Sequence, residues 1–230
     1  MIIAKFVAVI IIGYLLGSIP FGPLITRRLT RVDVRNYGSG KTGATNVLRV
    51  AGKRAATLVC SLDILKGMLA VVIAWLLFGG QYWLVFGSAS WWLVRSAPAA
   101  AAMAAMAGHI WPVFLKFHGG RGVATFFGGL VALSPAAALF GGEIVVISAG
   151  LTRFASIGSL AGAVGAYTIL VPLTIFNGFP IEYLAYALIG VIAIVVKHRD
   201  NIARLLSGKE RRLGEKGEKI VDSTNSQNTG

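Results

Sequence analysis

The residues with the strongest chemical character lie between 108 and 125, in GHIWPVFLKFHGGRGVAT. Gly119, Gly120, Arg121 and Gly122 make a turn that opens directly into an apolar run, which is how an anion site is built. Glycine lets the backbone approach a ligand, the first N–H groups of a helix have no partner, and the guanidinium of Arg121 supplies a planar fixed charge suited to phosphate. His109 and His118 flank the turn and could move a proton. The plainer alternative is a membrane hairpin whose Arg121 only marks the cytoplasmic end.

Three other segments carry similar polarity. Residues 35–49, RNYGSGKTGATNVLR, contain GSGKTG, but a nucleotide-binding P-loop needs glycine five residues before Gly40, and Arg35 stands there. What remains is a glycine-rich loop with Ser39, Thr45 and Asn46 as neutral donors and Arg49 as a cation. That set suits a phosphate monoester, or else the loop is simply solvated. In residues 153–159, RFASIGS, Ser156 and Ser159 sit at a helix start, where serine is a cap more often than a ligand. In residues 197–206, KHRDNIARLL, His198 and Asn201 are three apart and therefore neighbours on one helix face.

The elements that must position these groups are membrane helices. The 230 residues are 56% hydrophobic and 13% charged, with a mean hydropathy of +0.74, so the fold class is an all-α integral membrane protein. The charge is lopsided, 22 Lys+Arg against 9 Asp+Glu, yet the basic residues fall between apolar runs and in the tail. This excludes nucleic acid as a partner and fits the positive-inside rule. Cys60 is the single cysteine and lies in an apolar run, which excludes disulfides and cysteine metal clusters; no metal and no cofactor is expected.

Apolar runs at 6–26, 55–78, 91–108, 123–150 (two short spans broken at Ser134-Pro135), 156–176 and 183–196 give seven transmembrane helices. The N-terminus is then outside and the C-terminus cytoplasmic. Residues 27–54, with eight basic residues against Asp33, form a cytoplasmic loop, and the uncharged residues 79–90 an external one. Residues 1–212 make a single seven-helix domain with cytoplasmic loops, and 213–230 a polar, disordered tail. Asp63 and Lys66, three apart in the second span, share a helix face and can pair inside the bundle. The small residues of APAAAAMAAMAG let neighbouring helices approach closely. Arg95 snorkels outward and is given no function.

Taken together, GSIPFG at 17–22, GSGKTGATNVLR at 38–49, DILKG at 63–67, GHIWPVF with FHGGRGVAT, and HRDNIARLLSGKE near the end resemble the bacterial acyl-phosphate:glycerol-3-phosphate acyltransferase family over roughly residues 8–210. The resemblance implies a seven-helix, multi-pass inner-membrane enzyme of phospholipid biosynthesis with its active site facing the cytoplasm. Such an enzyme moves a fatty acyl group from acyl phosphate to the 1-hydroxyl of glycerol 3-phosphate, giving lysophosphatidic acid and phosphate. Its implied partners are glycerol 3-phosphate, acyl phosphate and membrane lipid. Carried onto matching positions, it makes Arg121, Ser39 and Asn201 catalytic. Thr45, Asn46, Arg49, Ser156, His198, Gly119, Gly120 and Gly122 bind substrate, and His109, Asp63 and Lys66 support them. Two departures stand out: Lys41 and Thr42 replace the usual asparagine and proline, and Arg121 the usual lysine. Arginine keeps the charge and adds bidentate geometry.

No histidine is followed five residues on by aspartate, since Phe114, Val123 and Ala203 occupy those places, and no G-x-S-x-G serine elbow is present. Direct attack of the glycerol hydroxyl on the acyl carbonyl is the expected route. Arg121 stabilises the developing charge, and either the leaving phosphate or a histidine takes the proton; with the phosphate available, His109 is expected to brace its loop. A small-anion transporter and a non-catalytic scaffold are the rivals. All the polarity gathers on one face, which favours surface chemistry over passage.

Overall fold

The computed structural model describes residues 1–81, 87–88 and 90–220. Among them the chain is helical: α1 (Ile2–Ser18), α2 (Phe21–Thr30), α3 (Ala44–Phe78), α4 (Trp91–Ile110), α5 (Val123–Leu133), α6 (Pro135–Thr152), α7 (Ala155–Asn177), α8 (Ile181–Lys197) and α9 (Arg199–Leu206). Half of the expected external loop at 79–90 lies outside the described residues.

Proline sets the first boundary. Ile19 is extended (ψ 118°), as a residue before proline must be, so the apolar run at 6–26 is not one helix but breaks ahead of Pro20. α2 then leaves as a separate amphipathic helix ending in Arg27 and Arg28. The loop expected over 27–54 is also shorter than the sequence suggests. α3 already begins at Ala44 and absorbs Arg49, with an interruption at Gly52 (φ 79°) where the polar first part meets the apolar span.

Among the described residues, length and apolarity give five helical segments able to cross a membrane, or six if α8 and α9, bent by 57°, count as one span. α5 is the short span expected ahead of Ser134-Pro135, shorter than a full crossing. Its 11 residues reach about 16 Å, against a hydrocarbon core of about 30 Å. It can be short because it is not lipid-facing: Phe126, Leu130 and Leu133 are buried in the main core with Met106 of α4, Leu170 of α7 and Tyr186 of α8. Tyr186 fastens that core by donating its hydroxyl to the Phe126 carbonyl at 3.0 Å. The break at Ser134-Pro135 is where the sequence places it.

The small-residue surface of α4 does what was expected of it. A Cβ on Gly17 of α1 would overlap the backbone of Ala105, so glycine there sets the spacing of α1 and α4. At one end of the bundle Lys5 donates to Leu77 O (2.9 Å), and Arg95 does not merely snorkel but pairs with Glu182 (3.0 Å), joining α4 to α8. The helix ends carrying His109, Ser156 and His198 lie at the opposite end.

The tail also departs from expectation. Residues 213–220 turn back onto the protein: Leu213 N–H donates to Arg153 O (2.8 Å), Gly217 N–H to Arg49 O (3.2 Å) and Ile220 N–H to Asn36 O (2.9 Å), while Gly38 N–H donates to Glu218 O (2.9 Å). The reason is that the loop at 36–38 offers unpaired backbone groups, and an extended segment satisfies them. Residues 221–230 lie outside the described residues.

Candidate active site

A carboxylate gathers the polar segments. Glu210, with only 4% of its side chain exposed, accepts from Ser156 Oγ (3.0 Å) and Asn201 Nδ2 (2.6 Å) on one oxygen and from Arg204 Nε (2.9 Å) on the other. It thereby ties the start of α7 to α9. Sequence reading did not single out Glu210, which is one of three glutamates in the basic tail.

Around this carboxylate are polar atoms with nothing to bind. Arg121 Nε, Arg49 Nε and Asn201 Oδ1 are buried without a hydrogen-bond partner, a condition that costs free energy unless a ligand relieves it. Arg49 spends one nitrogen on Arg211 O (3.4 Å). Burial pushes Arg121 down to about 10, helped by repulsion from Arg204 and opposed by Glu210, so it remains cationic at neutral pH. Three guanidinium groups thus share one buried carboxylate. Beside Arg49 a cavity of about 470 Å³ opens between Thr30, Val32, Leu48, Val50 and Lys216.

His198 is buried, and its Nδ1 meets Ile194 O at 2.8 Å. A carbonyl can only accept, so Nδ1 carries the hydrogen and Nε2 is the nitrogen left for chemistry.

The glycine turn has a more structural reason than ligand approach alone. Gly119 lies against the His109 carbonyl, and a side chain on Gly120 would collide with His109 Nε2. Gly122 holds φ 86° as the residue before α5, a conformation suited to glycine. Together these place Arg121 at the mouth of α5.

In the first loop Asn46 occupies a different place from the one expected. Its Nδ2 donates to Val34 O, Tyr37 O and Lys41 O (2.9–3.0 Å), and its Oδ1 accepts from Ser39 N–H (3.0 Å). These bonds use up the amide, so Asn46 shapes the loop instead of offering a donor to a ligand. Asp33 closes the same loop with Arg35 (2.7 Å) and Arg27 (2.6 Å), and the Arg35 hydrogen bond holds its carboxyl well below the usual range. Ser39 and Thr45 are half-buried on this loop. The structure therefore assembles Arg49, Arg121, Ser156, His198 and Asn201 about Glu210, with Ser39 and Thr45 on the adjoining loop.

Deeper in the bundle is a second charged group. Lys66 Nζ is 2.7 Å from Asp63 Oδ1, the pairing expected from their spacing, and His109 Nδ1 is 3.4 Å from the same oxygen. Lys66 also donates to Ile19 O (3.2 Å), the carbonyl freed by the Pro20 break. The group fastens α3, α4 and the α1–α2 corner.

Comparison with known proteins agrees over nearly the whole chain. The family model described as glycerol-3-phosphate acyltransferase matches residues 7–208. Glycerol-3-phosphate acyltransferase 3 of Dehalococcoides mccartyi (strain ATCC BAA-2266 / KCTC 15142 / 195) is 58% identical over 94% of this chain and 99% of its own length. Glycerol-3-phosphate acyltransferase of Halalkalibacterium halodurans is 42% identical over 91% and 96%. The crystal structure of PlsY (YgiH), an integral membrane glycerol 3-phosphate acyltransferase, in its glycerol 3-phosphate form superposes with a TM-score of 0.77 at 37% identity, covering 91% of this chain and 96% of that one. Its lysophosphatidic acid form gives 0.75 at 35% identity, covering 90% and 94%. The helical membrane fold and these matches, each spanning some nine-tenths of the sequence, make this chain a member of the glycerol-3-phosphate acyltransferase family.

Proposed function

We propose that this chain transfers a fatty acyl group from acyl phosphate to the 1-hydroxyl of glycerol 3-phosphate, releasing phosphate and forming lysophosphatidic acid. The observation that carries the reading is the set of buried, unpartnered atoms, Arg49 Nε, Arg121 Nε and Asn201 Oδ1, beside three guanidinium groups. Both substrates bring a phosphate to such a site, and relief of unpaired donors is worth most where water is excluded. The glycerol 3-phosphate and lysophosphatidic acid forms of the related PlsY structures are consistent with it.

In the reaction the glycerol oxygen bonds to the acyl carbon as the bond from that carbon to the phosphate oxygen breaks. Phosphate departs with the electron pair, and the hydroxyl proton passes to one of its oxygens. Arg121 and the N–H groups at the start of α5 offset charge on the carbonyl oxygen and the departing phosphate. Ser156 and Asn201, held by Glu210, with Ser39, Thr45 and Arg49, position the phosphates. Gly119, Gly120 and Gly122 shape the turn.

The active face is cytoplasmic and the membrane the bacterial inner membrane. Seven helices enter the membrane, with the short α5 and α6 as a hairpin whose two ends, Arg121 and Arg153, lie on the site face. Lys5 stands near Leu77 at the far end and the tail packs at the site end, which supports an odd number of crossings, the N-terminus outside and the C-terminus inside. Purified protein given labelled glycerol 3-phosphate and acyl phosphate should form lysophosphatidic acid, with none from acyl-CoA or acyl-carrier protein. Product from either alternative donor, or none from acyl phosphate, overturns the assignment.

A further inference from the structure

The segment linking α4 to the glycine turn is a closed excursion of the chain. Gly119 N–H donates to Ile110 O (3.2 Å) and Gly120 N–H to His109 O (3.0 Å), so the backbone leaves and re-enters the bundle at one point. Within the loop Phe117 N–H bonds Pro112 O (2.9 Å) and His118 N–H bonds Leu115 O (3.1 Å). Lys116 and Phe117 adopt successive positive φ values, 51° and 63°, uncommon for residues with a bulky side chain. That conformation is not offset by burial in the protein: Trp111 is 44% exposed, Phe114 60% and Phe117 58%. A rigid loop that holds three aromatic rings away from its own core is built to meet something else.

Position identifies the partner. The 20 residues of α4 extend about 30 Å, the thickness of the hydrocarbon core. Tryptophans stand at both limits, Trp91 and Trp92 at its start and Trp111 just past its end, which is the interfacial position that indole prefers. Lys197 Nζ lies 4.5 Å over the Trp111 ring, and the Tyr14 hydroxyl donates to Trp111 O (2.8 Å), so α8 and α1 pin the loop at this level. Lys116 is exposed within the loop, and its cation, with that of Lys197, complements anionic headgroups.

We propose that residues 111–118 are an interfacial anchor occupied by the lipid surface. Phe114 and Phe117 enter the boundary between headgroups and acyl chains and hold the Gly119–Gly122 turn at the depth of lipid phosphates. The consequence for catalysis rests on the reading of acyl phosphate as donor: a donor embedded by its chain presents its phosphate at that depth, so the anchor governs donor access.

The test uses the full chain in phosphatidylglycerol–phosphatidylethanolamine vesicles, with Cys60→Ala removing the single native thiol. Phe114→Cys and Phe117→Cys, each labelled with a nitrobenzoxadiazole fluorophore, should be quenched by lipid nitroxides placed near the headgroup boundary and not by aqueous iodide. Quenching by iodide puts the loop in water and overturns the proposal; quenching by neither means that protein, such as a second copy, covers it, and overturns it too. No turnover is needed, so this outcome is independent of the donor assignment. In the second arm, Phe114→Ser with Phe117→Ser should raise KM for a long-chain acyl phosphate about tenfold, the scale of lost interfacial contact, with KM for glycerol 3-phosphate unchanged. An equal rise in both constants would overturn the link to donor access.

Discussion

Two groups of charges lie toward the same end of this bundle, and they are organised in opposite ways. Around Asp63 the ions close on themselves: the carboxylate is 2% exposed, Lys66 4%, and His109 turns its Nδ1 to the same oxygen. Around Glu210 the balance is left open, with Arg49, Arg121 and Arg204 against one carboxylate and three buried polar atoms unpartnered. A buried ion pair that is fully matched fixes geometry and adds little net stability, whereas an unmatched cationic pocket stores an unmet demand for an anion. The contrast supports reading the first group as a fastener and the second as the proposed binding site.

The largest expected effect falls on the open group. Arg121→Ala should lower kcat/KM for acyl transfer by about 10²–10³-fold, the cost of losing one preorganised stabiliser, while Arg121→Lys, which keeps the charge, should stay within about tenfold. Initial rates of lysophosphatidic acid formation decide it, and full activity in the alanine variant would remove Arg121 from the site.

For the closed group the effect should be on stability. Asp63→Ala leaves Lys66 buried and unpaired, at a cost of about 3–5 kcal/mol, seen as a lower unfolding temperature in detergent. Asp63→Leu combined with Lys66→Met removes both charges and should recover most of that stability together with activity. A stable but inactive double variant would mean that this group takes part in chemistry, and the division between the two would fail.

Glu210 lies between these extremes because it belongs to the open group yet does a fastener's work. Glu210→Ala frees Ser156, Asn201 and Arg204 from their common acceptor, so a stability loss of about 1–3 kcal/mol is expected from the buried donors left unsatisfied. KM for glycerol 3-phosphate should rise more than kcat falls, as measured from saturation curves. Equal losses in both would place Glu210 at the reaction itself.

The sequence was most legible where a residue's chemistry acts locally. Pro135 marked the end of α5, the spacing of Asp63 and Lys66 foretold their pairing, and the glycine turn foretold that Arg121 stands at the entry to an apolar helix. Legibility failed where a partner is distant in the chain. Nothing near Glu210 announces Ser156, 54 positions away, and nothing near Asn46 shows that its amide will be consumed by Val34, Tyr37 and Lys41. The number of full spans is hard to read for a related reason. Hydropathy reports how apolar a segment is but not whether it faces lipid or protein, and α5 is apolar because it is core.

The smallest expected effect separates the two histidines. His109 belongs to the closed group: its Nδ1 faces Asp63 and its Nε2 lies under Gly120, where a methyl group would not fit, so neither nitrogen is open to a substrate. His198 has its Nε2 free beside the open group, since Nδ1 is spent on Ile194 O. If the departing phosphate takes the hydroxyl proton, His198→Ala should reduce kcat by less than about tenfold, whereas removal of a true general base costs about 10²-fold or more. His109→Ala should leave kcat equally intact and instead lower thermal stability, because it takes a partner from Asp63. A loss of 10²-fold in the His198 variant at unchanged KM would move the proton from phosphate to histidine. The same loss in the His109 variant would mean that the closed group opens during turnover.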